Sequence, residues 1–266
     1  MKIISRDFRR NLALGLGFAL DRRASLAEVR SLIRRLQPRA AASSLRRLGA
    51  DGDGGYLVPD DLDGVRAVLS PGVSTECGFD LALAESGVDV FMADASVEAP
   101  PFGHERFHFL PKFIEPYNSE RSITFDAFAA WVDTKHPEGD WMLQMDIEGA
   151  EWRVLLDAGA HVLARCRIMV IEFHGLDRLL WASHLPLMRA VFEKLLMRFD
   201  VAHIHPNNSS KIARCGDVVI PSIMEFTFHR RDRAAPAGRV GPFPHPMDRD
   251  CAPALRHLAL PDIWRP

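Results

Sequence analysis

The 266-residue sequence lacks most of the features that would assign it to a specialised class. Its four cysteines, Cys77, Cys166, Cys215 and Cys251, are far apart, and no two form a C-x-x-C pair. Neither a disulfide framework nor a zinc knuckle is indicated, and a reducing, cytoplasmic setting is the expectation. The longest apolar stretch near the start, "NLALGLGFAL" from Asn11 to Leu20, is about half the length that spans a bilayer. Basic residues flank it and no small-residue cleavage site follows cleanly, so it reads as an amphipathic or core helix and not as a signal peptide or transmembrane segment. No internal repeat is visible. Charge of one sign is missing overall, since the formal net charge is −2.

That near-neutrality hides an asymmetry. Residues 1–47 carry 12 Lys and Arg against 3 Asp and Glu, and the remainder carries 21 against 32. A basic arm on an acidic body implies an anionic partner for the arm, or docking of the arm on the body or on a second subunit. The arm lacks the aromatic residues interleaved with basic ones that mark nucleic-acid surfaces, so no nucleic-acid partner is expected. Hydrophobic residues make up 47% of the chain, enough for one large core with appendages.

What is present is an alternation of strand-like and helix-like segments. Two helices are expected over 5–20 and 25–37, the second with a capping box of Ser25 and Glu28 and a stop at Pro38. The glycine-rich "LGADGDGGYLV" then leads into a short apolar run. Strands follow at Val65–Leu69, Val88–Asp94, Arg106–Leu110, "WMLQMD" ending at Asp146, "CRIMVIEFH" ending at His174, Val201–His205 and "SIMEFTFHR". Helices fall between them over 78–86, over "TFDAFAAWV" with Thr124 as N-cap, from about Gly149, and over 184–198. This alternation predicts an α/β fold with a mostly parallel sheet. The last 31 residues hold 7 of the 18 prolines and read as an extended wrap. The chain thus divides into a basic helical arm (1–47), an α/β domain (48–233) and a Pro-rich tail (234–266).

In an open α/β sheet ligands bind at the carboxyl ends of the strands. Those ends carry Gly72 and its turn, Asp94, Asp146 with Glu148, Glu172 with His174, and His205 with Asn207 and Asn208. Asp94 lies 22 residues after Gly72, the spacing at which a second-strand acid accepts hydrogen bonds from a ribose diol. Nicotinamide and adenosylmethionine folds share that spacing. Ser74 and Glu76 stand where a dinucleotide fingerprint has glycines, which hinders close approach of a pyrophosphate. "DGDGGY" at 51–56 fails as a calcium loop, because Gly55 and Leu62 occupy positions that need oxygen ligands. Glu151 falls in a helix first turn, where the helix dipole alone accounts for an acid. Asp146, Glu172, His174 and His205 are of the residue types that hold a divalent ion, manganese or zinc more readily than magnesium; no metal ligand is assigned.

"LQMDIEGAEWRVL", supported by "DGDGGYLVP", "GFDLALAESGVDVFMAD", "SITFDAFAAW" and "RIMVIEFHGL", resembles the FkbM-type S-adenosylmethionine-dependent methyltransferases over roughly residues 48–230. The resemblance implies a class I methyltransferase fold: a Rossmann-like three-layer sandwich, its seven-stranded sheet mostly parallel with an antiparallel last strand, here preceded by N-terminal helices. It implies S-adenosylmethionine as cofactor, held by Gly72, Ser74, Glu76, Asp94 and Asp146. Ser70 departs from the family by standing in an acidic position of the first turn. The resemblance further implies O-methylation of a glycan or small secondary metabolite, with Asp146 and Glu148 facing the methyl group and the acceptor. "EFHGL" after strand 5 differs from the Asn-Pro-Pro-aromatic turn of amino-group methylation of DNA bases. A hydroxyl acceptor must lose a proton; His174 is the first candidate base and His205 the second. The alternatives are a nicotinamide-dependent oxidoreductase and a non-catalytic binding protein of the same fold.

Overall fold

The computed structural model describes residues 11, 14–17, 21–233 and 240–266. The helix expected over 5–20 lies for the most part outside the described residues. The second expected helix is α1, Leu26–Leu36, which buries Val29, Leu32, Ile33 and Leu36. That is the one-sided stripe of an amphipathic helix. Ser25 occupies the N-cap position, but its side chain accepts no hydrogen bond there. The expected capping box does not form, and Glu28 turns to Arg189, 3.7 Å away.

β1 (Leu45–Leu48) and β2 (Tyr56–Pro59) pair antiparallel and close the glycine-rich segment into a hairpin loop. The sequence predicts no strand at 45–48, because two arginines occupy the middle of "LRRL". Its partner β2 is buried at all four positions and recruits it.

The central layer is built from β3 (Val65–Pro71), β4 (Asp89–Ala93), β5 (Phe107–Leu110), β8 (Asp140–Met145), β9 (Cys166–His174), β10 (Phe199–Pro206) and β13 (Ile223–Arg230). The small pairs β6 (Phe113–Ile114) with β7 (Ser122–Ile123), and β11 (Ile212–Cys215) with β12 (Val218–Pro221), lie outside it. Sheet order is β5-β4-β3-β8-β9-β13-β10, and β13 runs antiparallel to both of its neighbours. The chain moves outward from β3 through β4 to β5, then returns to β8 on the other side of β3. The order therefore reverses between β3 and β8, and a cleft opens at their carboxyl ends.

One sheet face packs on α1, α3 (Phe125–Lys135), α4 (Glu151–Asp157), the short α5 (Ala160–Leu163) and α6 (Leu185–Leu196). Thr124 caps α3 by accepting from the Ala127 amide at 3.2 Å. The opposite face packs on α2 (Gly78–Glu85) and the hairpin through Tyr56, Val58, Phe79 and Leu83. Toward β10 this second face turns polar, with Glu172, Glu225, Thr227, His203 and His205 all buried. The tail covers it there: Asp248 accepts a 2.8 Å hydrogen bond from His203, and Arg249 reaches Asp51 of the hairpin loop at 2.6 Å. The described part of the tail forms no strand and ends in a short 3-10 turn, where the fully buried Trp264 donates its indole N–H to the Val219 carbonyl at 3.0 Å. No helix among the described residues is long and apolar enough to cross a membrane.

Candidate active site

The cleft between β3 and β8 holds a cavity of about 440 Å³, within the usual range for small-molecule sites. Five chain segments wall it: Asp53–Tyr56 of the hairpin, Gly72–Asp80 after β3, Ala93–Ser96 after β4, Phe113–Glu115 and Gln144–Arg153 around the tip of β8. The turn after β3 has a backbone that only glycine tolerates. Gly72 has φ +91°, and a Cβ there would stand 1.6 Å from the Asp146 carbonyl oxygen. The turn continues through Ser74 at φ +46°.

Asp94 is the device that holds this turn. One carboxylate oxygen accepts from the Val73 and Ser74 amides at 2.9 Å each, and the other from the Ser96 amide at 2.7 Å. Burial pushes its pKa up, but the hydrogen bonds from Ser96, Ser74 and Val73 outweigh burial and hold it below the ordinary carboxylate value. Glu76 accepts from the Gly78 amide at 2.6 Å and packs on Gly54.

At the tip of β8, Asp146 is raised to about 6, chiefly by burial, with the Glu148 and Glu151 charges adding to it against Glu172 and His174. Glu172 is held well above the ordinary carboxylate value, because it is buried and lies between Asp146 and Glu225. It accepts from Asn207 at 2.9 Å. Its neighbour across the strands, Glu225, is pushed up to about 7 by burial.

His174 stands beside the cavity at the end of β9. Its Nε2 lies 3.3 Å from Glu148 and 4.0 Å from Asp146, and its Nδ1 lies 3.3 Å from Glu151. Burial lowers its pKa, but Glu151, Asp146 and Glu148 outweigh burial and hold it above the ordinary imidazole value. Glu148 reaches this position from a left-handed backbone, φ +55°. One donor atom each from Asp146, Glu148 and His174 falls within 4.8 Å of the others, the spacing of ligands around one divalent ion.

Gly72, Ser74, Glu76, Asp94, Asp146 and Glu148 all line the cavity, and His174 adjoins it. His205 does not reach it. His205 sits on β10, two strands beyond Glu172, buried against Asp248 at 3.6 Å. The four residues of metal-holding type therefore divide: Glu172 and His205 belong to the covered polar face, and Glu148 stands beside Asp146 and His174. Glu151 is also more than a helix-dipole acid. It is fully buried, and one oxygen accepts from the Ile147 and Gly149 amides at 3.0 and 3.1 Å while facing His174. The second Glu in "DIEGAE" lies within a tight glycine turn, and that was the available signal. Arg153 forks onto Glu115 across the cavity wall, with both contacts at 2.5 Å.

Residues 87–199 match the family model described as the methyltransferase FkbM domain. No curated protein matches the sequence closely enough to count as a relative. Among solved structures, the chain is similar to one described as a DNA modification methyltransferase encoded within a prophage (E. coli), at 10% identity and a TM-score of 0.40, covering 63% of this chain and 47% of that one. It thus spans about half the length of that protein. It is similar to the 1,6-didemethyltoxoflavin-N1-methyltransferase of Burkholderia thailandensis, solved with its substrate and S-adenosylhomocysteine, at 16% identity and a TM-score of 0.32, covering 64% and 72% of the two chains. A Pyrococcus horikoshii protein described as an RNA methyltransferase aligns at 10% identity and a TM-score of 0.35, covering 77% of this chain and 99% of the other.

Proposed function

We propose that this chain, which is a methyltransferase carrying an FkbM domain, uses S-adenosylmethionine to methylate a hydroxyl of a glycan or small secondary metabolite. The observation that carries this reading is the charge of the cavity. Asp53, Glu76, Asp80, Asp94, Glu115, Asp146 and Glu148 line it, and the one guanidinium, Arg153, is already forked onto Glu115. A wall of that sign repels the pyrophosphate of a nicotinamide dinucleotide and attracts a ligand with a sulfonium and an ammonium. The bare Gly72 turn admits a ligand close to the backbone.

S-adenosylmethionine, when bound, supplies an electrophilic methyl group on a positively charged sulfur. Asp94 remains ionised, and a carboxylate accepts about four hydrogen bonds. Three amides and the Ser96 hydroxyl surround it, so a ribose hydroxyl would take the place of the Ser96 hydroxyl. Asp146 and Glu148 face the end of the cavity nearest His174, where they orient the acceptor. His174 Nε2 receives the proton that the acceptor hydroxyl loses. Glu151 fixes the ring through Nδ1 and stabilises the imidazolium that results, the part a buried acid takes behind a histidine base.

The spacing of the Asp146, Glu148 and His174 donors favours a second reading, in which they bind a divalent ion that lowers the acceptor hydroxyl's pKa. Methyl transfer from labelled S-adenosylmethionine to a panel of hydroxyl acceptors, with and without chelator, tests both. Activity that survives chelation assigns His174 as base, and activity lost to chelator and restored by manganese assigns the metal. Calorimetry in which the chain binds a nicotinamide dinucleotide but not S-adenosylhomocysteine overturns the cofactor.

A further inference from the structure

Ser70, near the end of β3, stands in the acidic position of the resemblance, and it is fully buried with its hydroxyl donating to Gln144 Oε1 at 2.8 Å. Another element brings a carboxylate to the same place. Asp80, in the first turn of α2, points to the buried side of that helix with Phe79, Leu83 and Ala84. It lines the cavity together with Tyr56 and Gln144, and it is only 3% exposed. Its Oδ1 is shut off from solvent and has no hydrogen-bond partner among the described residues.

The charged groups around Asp80 do not explain it. β3 contributes Ser70, the turn contributes the like charge of Glu76, and the hairpin and β8 contribute the uncharged Tyr56 and Gln144. No cation is among the groups that act on it, and burial without one pushes its pKa up to about 7. A helix dipole favours an acid in the first turn, but its contribution is smaller than the cost of burying a carboxylate with an unmatched oxygen. A buried acid with one oxygen unmatched, and only the Ser70 hydroxyl and its own amide beside the carboxylate, is matched when a ligand in the cavity it lines brings the cation.

We propose that Asp80 receives the ammonium of the amino-acid end of S-adenosylmethionine, in place of the strand acid that Ser70 replaces. This rests on the cofactor reading above. Gln144, with Oε1 occupied by Ser70, and the Tyr56 hydroxyl are the neutral groups beside that end.

The test uses the full chain and two ligands. S-adenosylhomocysteine carries the amino-acid end, and 5′-methylthioadenosine keeps the adenosine and sulfur without it. Asp80→Asn is expected to weaken S-adenosylhomocysteine on the order of 10- to 100-fold, the loss of a charged hydrogen bond, and to leave 5′-methylthioadenosine within about twofold. In the unaltered chain, S-adenosylhomocysteine stripped of its amino group should lose affinity by a similar factor, which covers the case of a variant that does not fold. Calorimetry at pH 7 in buffers of different ionisation heat should show S-adenosylhomocysteine releasing on the order of half a proton and 5′-methylthioadenosine none, because a matched carboxylate gives up its proton. The proposal is overturned if Asp80→Asn weakens both ligands equally or neither, or if the deaminated ligand binds the unaltered chain as tightly as its parent. If neither adenosine ligand binds the unaltered chain, the cofactor reading fails first and this one with it.

Discussion

Gly72 and Asp146 are in backbone contact across the cleft: the Asp146 amide lies 3.3 Å from the Pro71 carbonyl, and a methyl group on Gly72 would collide with the Asp146 carbonyl oxygen at 1.6 Å. The Gly72 turn and the acidic tip of β8 therefore cannot move independently. Gly72→Ala combines that collision with a left-handed φ of +91°. It is expected to destabilise the fold by more than about 2 kcal/mol and to abolish S-adenosylhomocysteine binding. Chemical denaturation and calorimetry measure the two effects. Binding retained at native stability would mean that the turn does not touch the ligand.

Asp94→Ala removes three backbone hydrogen bonds as well as the proposed ribose contact. S-adenosylhomocysteine affinity should fall on the order of 10- to 100-fold, as expected for a charged hydrogen bond, and amide exchange at Val73 and Ser74 should quicken. Unchanged affinity in calorimetry would remove Asp94 from the ligand site.

His174→Ala and Asp146→Asn should each lower turnover by at least about 10²-fold, the loss of a positioned acid–base group, with S-adenosylhomocysteine affinity changed less. The pH dependence has a definite sign. A base must be neutral to accept a proton, and Glu151 holds the His174 pKa above its ordinary value. The rate should therefore rise with pH through a midpoint above about 6.5. Glu151→Gln should shift that midpoint downward and lower turnover by more than the few tenths of a kcal/mol due to a helix-terminus charge. An unmoved midpoint would return Glu151 to a structural role.

Glu225 stores a pH dependence of stability. Its folded pKa of about 7 exceeds the ordinary 4.5 because it is fully buried. The folded state then binds more protons than the unfolded chain between those values, so stability falls as pH rises from about 4.5 to 7. Glu225→Gln should remove most of that decline, on the order of 3 kcal/mol when the shift is taken at about 1.4 kcal/mol per unit. Burial lowers the His205 pKa, but Asp248 and Glu225 outweigh burial and raise it, so His205 contributes in the same sense above about 6.5. Asp248, held low against burial by His203 and His205, contributes in the opposite sense below about 3.8. Melting temperature against pH for the two proteins measures the difference, and parallel curves would refute it.

Trp264→Ala tests whether the tail belongs to the core. The indole is fully buried and donates to Val219. A loss of about 3–5 kcal/mol is expected for removing a buried aromatic, read from denaturant unfolding. A loss under about 1 kcal/mol would make the tail a loose appendage.

The sequence by itself determined the α/β alternation, because apolar runs bounded by turn residues carry their own local signal. It placed all seven strands of the central sheet within a few residues of their ends and set Gly72, Asp94, Asp146 and His174 at strand tips. It could not report which strand tips become neighbours. Only the crossover from β5 back to β8 brings Asp146 against Gly72, and only the antiparallel β13 separates His205 from the cavity and puts Glu225 beside Glu172. Burial decided the rest. Glu151 reads from sequence as an ordinary first-turn acid of a helix, and Asp80 carries no signal of its own there. Tertiary packing excludes water from both, and a carboxylate without water must find a partner in the protein or in a ligand. Each keeps one oxygen without a partner among the described residues, but the other oxygen of Glu151 takes two backbone amides and faces His174, whereas Asp80 has no cation beside it.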